Sequence, residues 1–195
     1  YGLVGSEMCI RDRVRIVHIG DSHVRGHLYP LITRHRLEHD FGAEAVYPDV
    51  ISYRTGGLAH ETGEPGIVYH MIGINGATSV TFSDDEKIKE IASLHPDLII
   101  VSFGTNEAHS RRYLAQAHKM QIGRLLGMLK AACPEAAFLL TTPPGAYVGR
   151  RRARTINPRT VTAARIIKEY AQENKMAVWD MYNICLLYTS DAADE

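Results

Sequence analysis

Alternation is the feature that most restricts the fold of this chain. Short continuous apolar runs take turns with stretches whose apolar residues recur at helical spacing. The runs are residues 14–19 (VRIVHI), 67–74 (IVYHMIGI), 97–103 (DLIIVSF), 136–142 (AAFLLTT) and 176–180 (MAVWD), with a weaker one at 45–52. Their length and β-branched content read as strands. Between them, residues 25–39 place Leu28, Leu31, Ile32 and Leu37 at near-helical spacing. Residues 84–94 put Ile88, Ile91 and Ala92 on one face behind two opening acids, and Pro96 stops them. Residues 111–132 form a long amphipathic pattern through Leu114, Ala117, Ile122, Leu125, Leu126 and Leu129, and a further helix opens at Asn157-Pro158 and runs to about Asn174. Residues 53–66 and 143–154 read as loops, rich in Gly and, in the second, Pro and Arg. Strands that alternate with helices imply parallel pairing through right-handed crossovers. Strands apolar throughout imply helices on both faces. The expected fold is α/β: a three-layer α/β/α sandwich around a mainly parallel, flavodoxin-like sheet.

The bulk properties narrow the function classes. A chain of 195 residues with 45% hydrophobic content suits one domain with a sizeable core. Lys+Arg and Asp+Glu are equal at 22 each, so no overall charge favours nucleic acid or an anionic membrane. No apolar run approaches the roughly 20 residues of a membrane span. The three cysteines, Cys9, Cys133 and Cys185, have no CxxC or metal-type spacing. No P-loop and no G-x-G-x-x-G occurs, so no nucleotide cofactor is expected; no cofactor or metal of any kind is. Both ends stand apart: LVGSEMCIRDR near the start and CLLYTSDAADE at the end resemble translated sequencing-adapter read-through from assembled environmental reads. Residues 1–12 and 185–195 are therefore expected to be non-native, leaving a domain at 13–184 that is incomplete at its C-terminus.

In sheets of this kind ligands bind at the carboxyl ends of strands. Three polar loops follow strands there: Gly20-Asp21-Ser22-His23, Asn75-Gly76-Ala77-Thr78 and Gly104-Thr105-Asn106-Glu107. All three are expected to open on one rim. A serine hydroxyl at a strand–helix junction is exposed to a substrate. Attack on an ester carbonyl creates an oxyanion, which needs preorganised donors. The backbone N–H of Ser22, that of Gly76 and the carboxamide of Asn106 can supply three. Glycine leaves the second donor unobstructed, and Asn donates without carrying charge. Taken singly, Ser22 reads as a helix cap, Gly76 as a turn former and Asn106 as an Asx-turn residue.

Taken in order, the three blocks resemble those of the SGNH (GDSL-type) ester hydrolases: GDSH at 20–23, the glycine of INGATS at 74–79, and GTNE at 104–107. LLTTPPG, at 139–145, resembles the strand and loop that follow. The resemblance covers about residues 14–184. It implies that Ser22 is the nucleophile, that Gly76 and Asn106 complete an oxyanion hole, and that the substrate is an ester, with acetylated carbohydrate or cell-wall polymers favoured. It also implies an extracytoplasmic, bacterial setting. Asp21, His23, Thr105, Glu107 and His109 are expected to line the substrate site.

One part of the pattern is missing. The family's proton acceptor is a histidine in a C-terminal D-x-x-H block, yet no histidine follows Asp180 here. Asp180 stands at a strand end and is not the catalytic acid. A serine without a base is a poor nucleophile, so very low esterase activity is expected unless an upstream histidine serves. Two alternatives stand beside the esterase. Asp21-Ser22-His23 has the D-x-H form of a metal-dependent phosphoesterase, and the same scaffold can serve as a non-catalytic carbohydrate-binding module. Arg150 to Arg154, RRRAR, is basic enough to meet an anionic substrate group. His18 is expected to be a satisfied core histidine, His35, His39, His95 and His118 helix-surface residues, and Trp179 a core residue.

Overall fold

A computed structural model describes residues 13–26, 28–45, 57–149 and 155–184. The elements run β1 (Arg13–Gly20), α1 (Ser22–Arg25), α2 (Leu28–Phe41), β2 (Gly66–Gly73), α3 (Ser79–Phe82), α4 (Asp85–Ser93), β3 (Leu98–Ser102), α5 (Thr105–His109), α6 (Ala115–Ala132), β4 (Ala137–Thr141), β5 (Tyr147–Val148), β6 (Thr155–Ile156), α7 (Pro158–Glu173) and β7 (Ala177–Trp179). Five strands form one parallel sheet in the order β2-β1-β3-β4-β7. This is the flavodoxin-type order, and its switch point lies where β1 is flanked by β2 and β3.

The two-residue period of the strands sorts the core onto two faces. Val17, Ile19, Ile99, Val101 and Leu140 meet Phe82, Ile88, Ile91, Ile122, Leu125, Leu126, Leu129 and Ile167 from α3, α4, α6 and α7. Ile16, Ile67, Tyr69, Met71 and Ile100 meet Val24, Tyr29 and Leu37 from α1 and α2. The expected three-layer sandwich is therefore the observed one. At the carboxyl ends of β1 and β2 the helix α1 is pressed directly onto the sheet. A Cβ on Gly20 would lie 2.4 Å from Val24 Cγ2 and 2.6 Å from Ser102 O, and one on Gly73 only 2.2 Å from Arg25 N. These glycines are dictated by close approach.

Several expectations need correction. The helical pattern over 25–39 breaks at Gly26, so α1 is a separate turn and α2 starts at Leu28. Ile32, placed on the inner face, is 55% exposed. Residues 111–114 precede α6, and Leu114 is 67% exposed, while His118, assigned to the surface, is 1% exposed. His118 shares the stripe of Ile122, Leu125 and Leu129, and its Nδ1 meets Tyr113 Oη at 3.0 Å. His35 and His39 are exposed on α2; His95 is exposed but lies past the end of α4, with φ of +48°. The loop at 143–154 contains β5, which pairs antiparallel with β6. Ala45 sits in a turn; the remainder of the weak strand at 45–52, and Arg150 to Arg154, lie outside the described residues.

His18 is buried and satisfied. Its Nδ1 lies 2.7 Å from Tyr69 Oη and its Nε2 2.7 Å from Ser102 Oγ, which also accepts from Thr141 Oγ1 at 2.7 Å. Burial drives the imidazole down to about 3 and pushes the Tyr69 phenol up. Trp179 is half-buried, with its ring edge-on to Tyr29 at 6.4 Å.

Candidate active site

The cap of α1 is Asp21, not Ser22. Asp21 is 2% exposed, and its Oδ1 accepts from the backbone N–H of His23 at 2.8 Å. Ser22 begins the helix and is exposed. The bland reading of the serine thus belongs to its neighbour, and the Ser22 hydroxyl is free of a capping role. The same Asp21 oxygen meets His23 Nδ1 at 2.9 Å. That hydrogen bond raises the His23 pKa, with burial opposing it and the Asp21 charge adding to it.

The second loop turns at Gly76, whose φ of +74° falls in the left-handed region that favours glycine. Nothing lies within 4 Å of the position a Cβ would take there. The residue is exposed and the space beside it is open.

Asn106 ties the loops together. Its Nδ2 donates to Ala77 O at 2.8 Å and lies 3.5 Å from Asp21 Oδ2. One carboxamide thus touches the residue after Gly76 and the residue before Ser22, so the three loops meet at one rim, above the carboxyl ends of β1, β2 and β3. The bond to Ala77 uses one amide hydrogen, and the other faces Asp21 at a distance too long for a strong bond. The side chain does not bond its own loop, as an Asx turn would.

Glu107 turns inward instead of lining the substrate side. It is 7% exposed. Its Oε1 accepts from Ser79 N at 2.8 Å and Ser79 Oγ at 3.1 Å, and its Oε2 from Gly104 N at 3.0 Å. The carboxylate clamps the third loop to the start of α3, which follows the Gly76 loop. Thr105 is buried, and its carbonyl accepts from His109 Nδ1 at 2.8 Å. His23, Thr105 and His109 face a common groove of about 570 Å³ whose far wall is residues 145–149. Asp180, at the end of β7, accepts from Thr142 Oγ1 at 3.1 Å and from Lys168 Nζ at 2.8 Å, which fits a structural tether. A second cavity, about 540 Å³, lies at the opposite, amino-terminal edge beside Arg13, Arg15 and Asp97, away from all three loops.

The sequence did not single out Tyr147 or Asn157 for this rim. Asn157 was visible only as a helix opening. It is fully buried, and it bonds Ala108 O through Nδ2 at 3.0 Å and Ala146 O through its backbone N–H at 2.7 Å.

A flavodoxin-order sheet with its polar loops gathered at the switch point is a scaffold shared by many chemistries, and comparison with known proteins shows that this chain is an ester-bond hydrolase. The model of the GDSL-like lipase/acylhydrolase family matches residues 19–195, and the chain belongs to that family. Among solved structures, a peptidoglycan O-acetylesterase aligns with a TM-score of 0.70 at 17% identity, covering 88% of this chain and 79% of its own. An acetyl xylan esterase aligns at 0.66 and 15% identity, covering 93% and 84%. A lipase/acylhydrolase from Enterococcus faecalis aligns at 0.61 and 20% identity, covering 90% and 80%. No curated protein sequence matches.

Proposed function

We propose that the chain is a serine ester hydrolase that removes acetyl groups from carbohydrate or cell-wall polymers. Ser22 Oγ attacks the ester carbonyl carbon and gives up its proton to a base. The carbonyl π electrons move onto oxygen, where the N–H groups of Ser22 and Gly76 and the second Asn106 amide hydrogen receive the charge. Collapse expels the polymer alkoxide, which takes the proton, and leaves an acetyl-serine that water then hydrolyses. The observation that carries this reading is the Asn106 carboxamide, 2.8 Å from Ala77 O and 3.5 Å from Asp21 Oδ2, which draws the three loops to one point. Acetyl esters on polysaccharide are supported by the peptidoglycan and xylan esterases that share the fold.

No histidine follows His118 in this chain, so the family's C-terminal proton acceptor has no counterpart in these residues. Hydrolysis of p-nitrophenyl acetate is accordingly expected to be very slow and to depend on Ser22. Ser22→Ala abolishes the residual rate, and Asn106→Ala lowers it by about 10²-fold or more. Equal rates for Ser22→Ala and the parent chain would sink the nucleophile assignment. Turnover at ordinary enzyme rates would sink the inference about the base.

A further inference from the structure

The groove beside Ser22 has a built wall that ester chemistry does not use. His23 and His109 both face it, and each has its Nδ1 committed: to Asp21 Oδ1 at 2.9 Å and to Thr105 O at 2.8 Å. A carboxylate and a carbonyl only accept, so both Nδ1 atoms carry hydrogen. Each ring is thereby oriented with its Nε2 remaining, and among the described residues neither Nε2 has a protein partner. Across the groove stands Tyr147 on β5, 57% exposed. The buried Asn157 side chain and backbone bond the carbonyls of Ala108 and Ala146, the residues just before His109 and Tyr147. The backbone segments that carry Tyr147 and His109 are therefore both tied to one residue. The pairing of Tyr147 with Ile156 braces the ring's backbone further.

We propose that this groove is a saccharide subsite, with a pyranose ring of the leaving polymer stacked on Tyr147 and its hydroxyls bonded to His109 Nε2 and His23 Nε2. This rests on the ester-hydrolase reading for its place in the reaction, since the groove begins at the residue after Ser22. A pyranose has an apolar C–H face and a rim of hydroxyls. An exposed, two-torsion aromatic supplies a flat surface at little entropic cost, and oriented imidazoles supply hydrogen-bonding groups at its edge. A fatty acyl chain asks for a continuous aliphatic lining, and among the described residues of this groove only Ala146 and Val148 have aliphatic side chains.

The test is calorimetric and NMR titration of the whole chain with xylotetraose and with chitotetraose. Saturable binding of at least one is expected, with shift changes at 105–109 and 145–149. Tyr147→Ala weakens it by about tenfold or more, His109→Ala weakens it severalfold, and Tyr147→Phe retains it. Tyr147 is exposed, so melting temperatures should match and a loss of fold cannot imitate the result. Ser22→Ala binds the oligosaccharide as the parent chain does, although it has lost ester hydrolysis. The two readings therefore fail separately: the hydrolase through Ser22 kinetics, the subsite through Tyr147 binding. No saturation with either sugar, or parental affinity in Tyr147→Ala, overturns the subsite.

Discussion

Replacing Glu107 by alanine tests whether the loops are clamped as described. The carboxylate accepts from two buried backbone N–H groups, Ser79 at 2.8 Å and Gly104 at 3.0 Å, and from the Ser79 hydroxyl at 3.1 Å. A hydrogen bond to a charged group contributes about 1.5–3 kcal/mol, and a buried donor left bare costs about 1–3 kcal/mol. The hydroxyl can rotate to another acceptor; the two amides cannot. Their loss comes to about 3–5 kcal/mol, and relief of the buried carboxylate offsets part of it. Glu107→Ala should therefore lose about 2–4 kcal/mol. With a urea slope of about 2–3 kcal/mol per molar, the unfolding midpoint measured by circular dichroism should fall by about 1 M. Glu107→Gln keeps one acceptor oxygen, turns an NH2 toward the other donor and should lie between the two. A midpoint for Glu107→Ala within about 0.2 M of the parent chain would refute the clamp.

Two further outcomes follow from packing and charge. Burial holds His18 down to about 3 in the fold, whereas an unfolded imidazole titrates near 6.5, at about the ordinary value. Between those values only the unfolded chain binds the proton, so the contribution is complete above about pH 6.5 and falls by about 1.4 kcal/mol per pH unit toward about pH 3. Urea denaturation at pH 7, 6 and 5 should show this slope reduced in His18→Gln, and an unchanged slope would contradict it. Gly73→Ala drives a Cβ to 2.2 Å from Arg25 N and should cost at least about 2 kcal/mol, whereas Gly127→Ala, in α6 with nothing within 4 Å, should stabilise by about 0.5–1 kcal/mol; thermal melts of the pair check both signs.

The sheet was legible because its strands are long apolar runs bounded by turn residues. All five appear within a residue or two of the expected positions. The short helices at the rim were not legible. α1, α3 and α5 span four or five residues each, about one turn, which is too short for a helical period to register. The two-residue strands β5 and β6 leave no alternation to read. His118 is a polar residue on an apolar stripe: its type points to the surface, whereas its spacing to Ile122 and Leu125 carries the signal for burial. The order of the three loops was visible in the sequence. What joins them was not, since the bonds from Asn106 to Ala77 and from Glu107 to Ser79 cross 29 and 28 residues and depend on the folded sheet.

Because Asp21 closes the first turn of α1, the hydroxyl beside it owes nothing to the architecture. Trimming Ser22 to alanine should leave the molecule's shape intact while removing its reactive oxygen. Such a silent form can hold an uncleaved acetylated oligosaccharide long enough for crystallography to show which sugar carbon bears the ester.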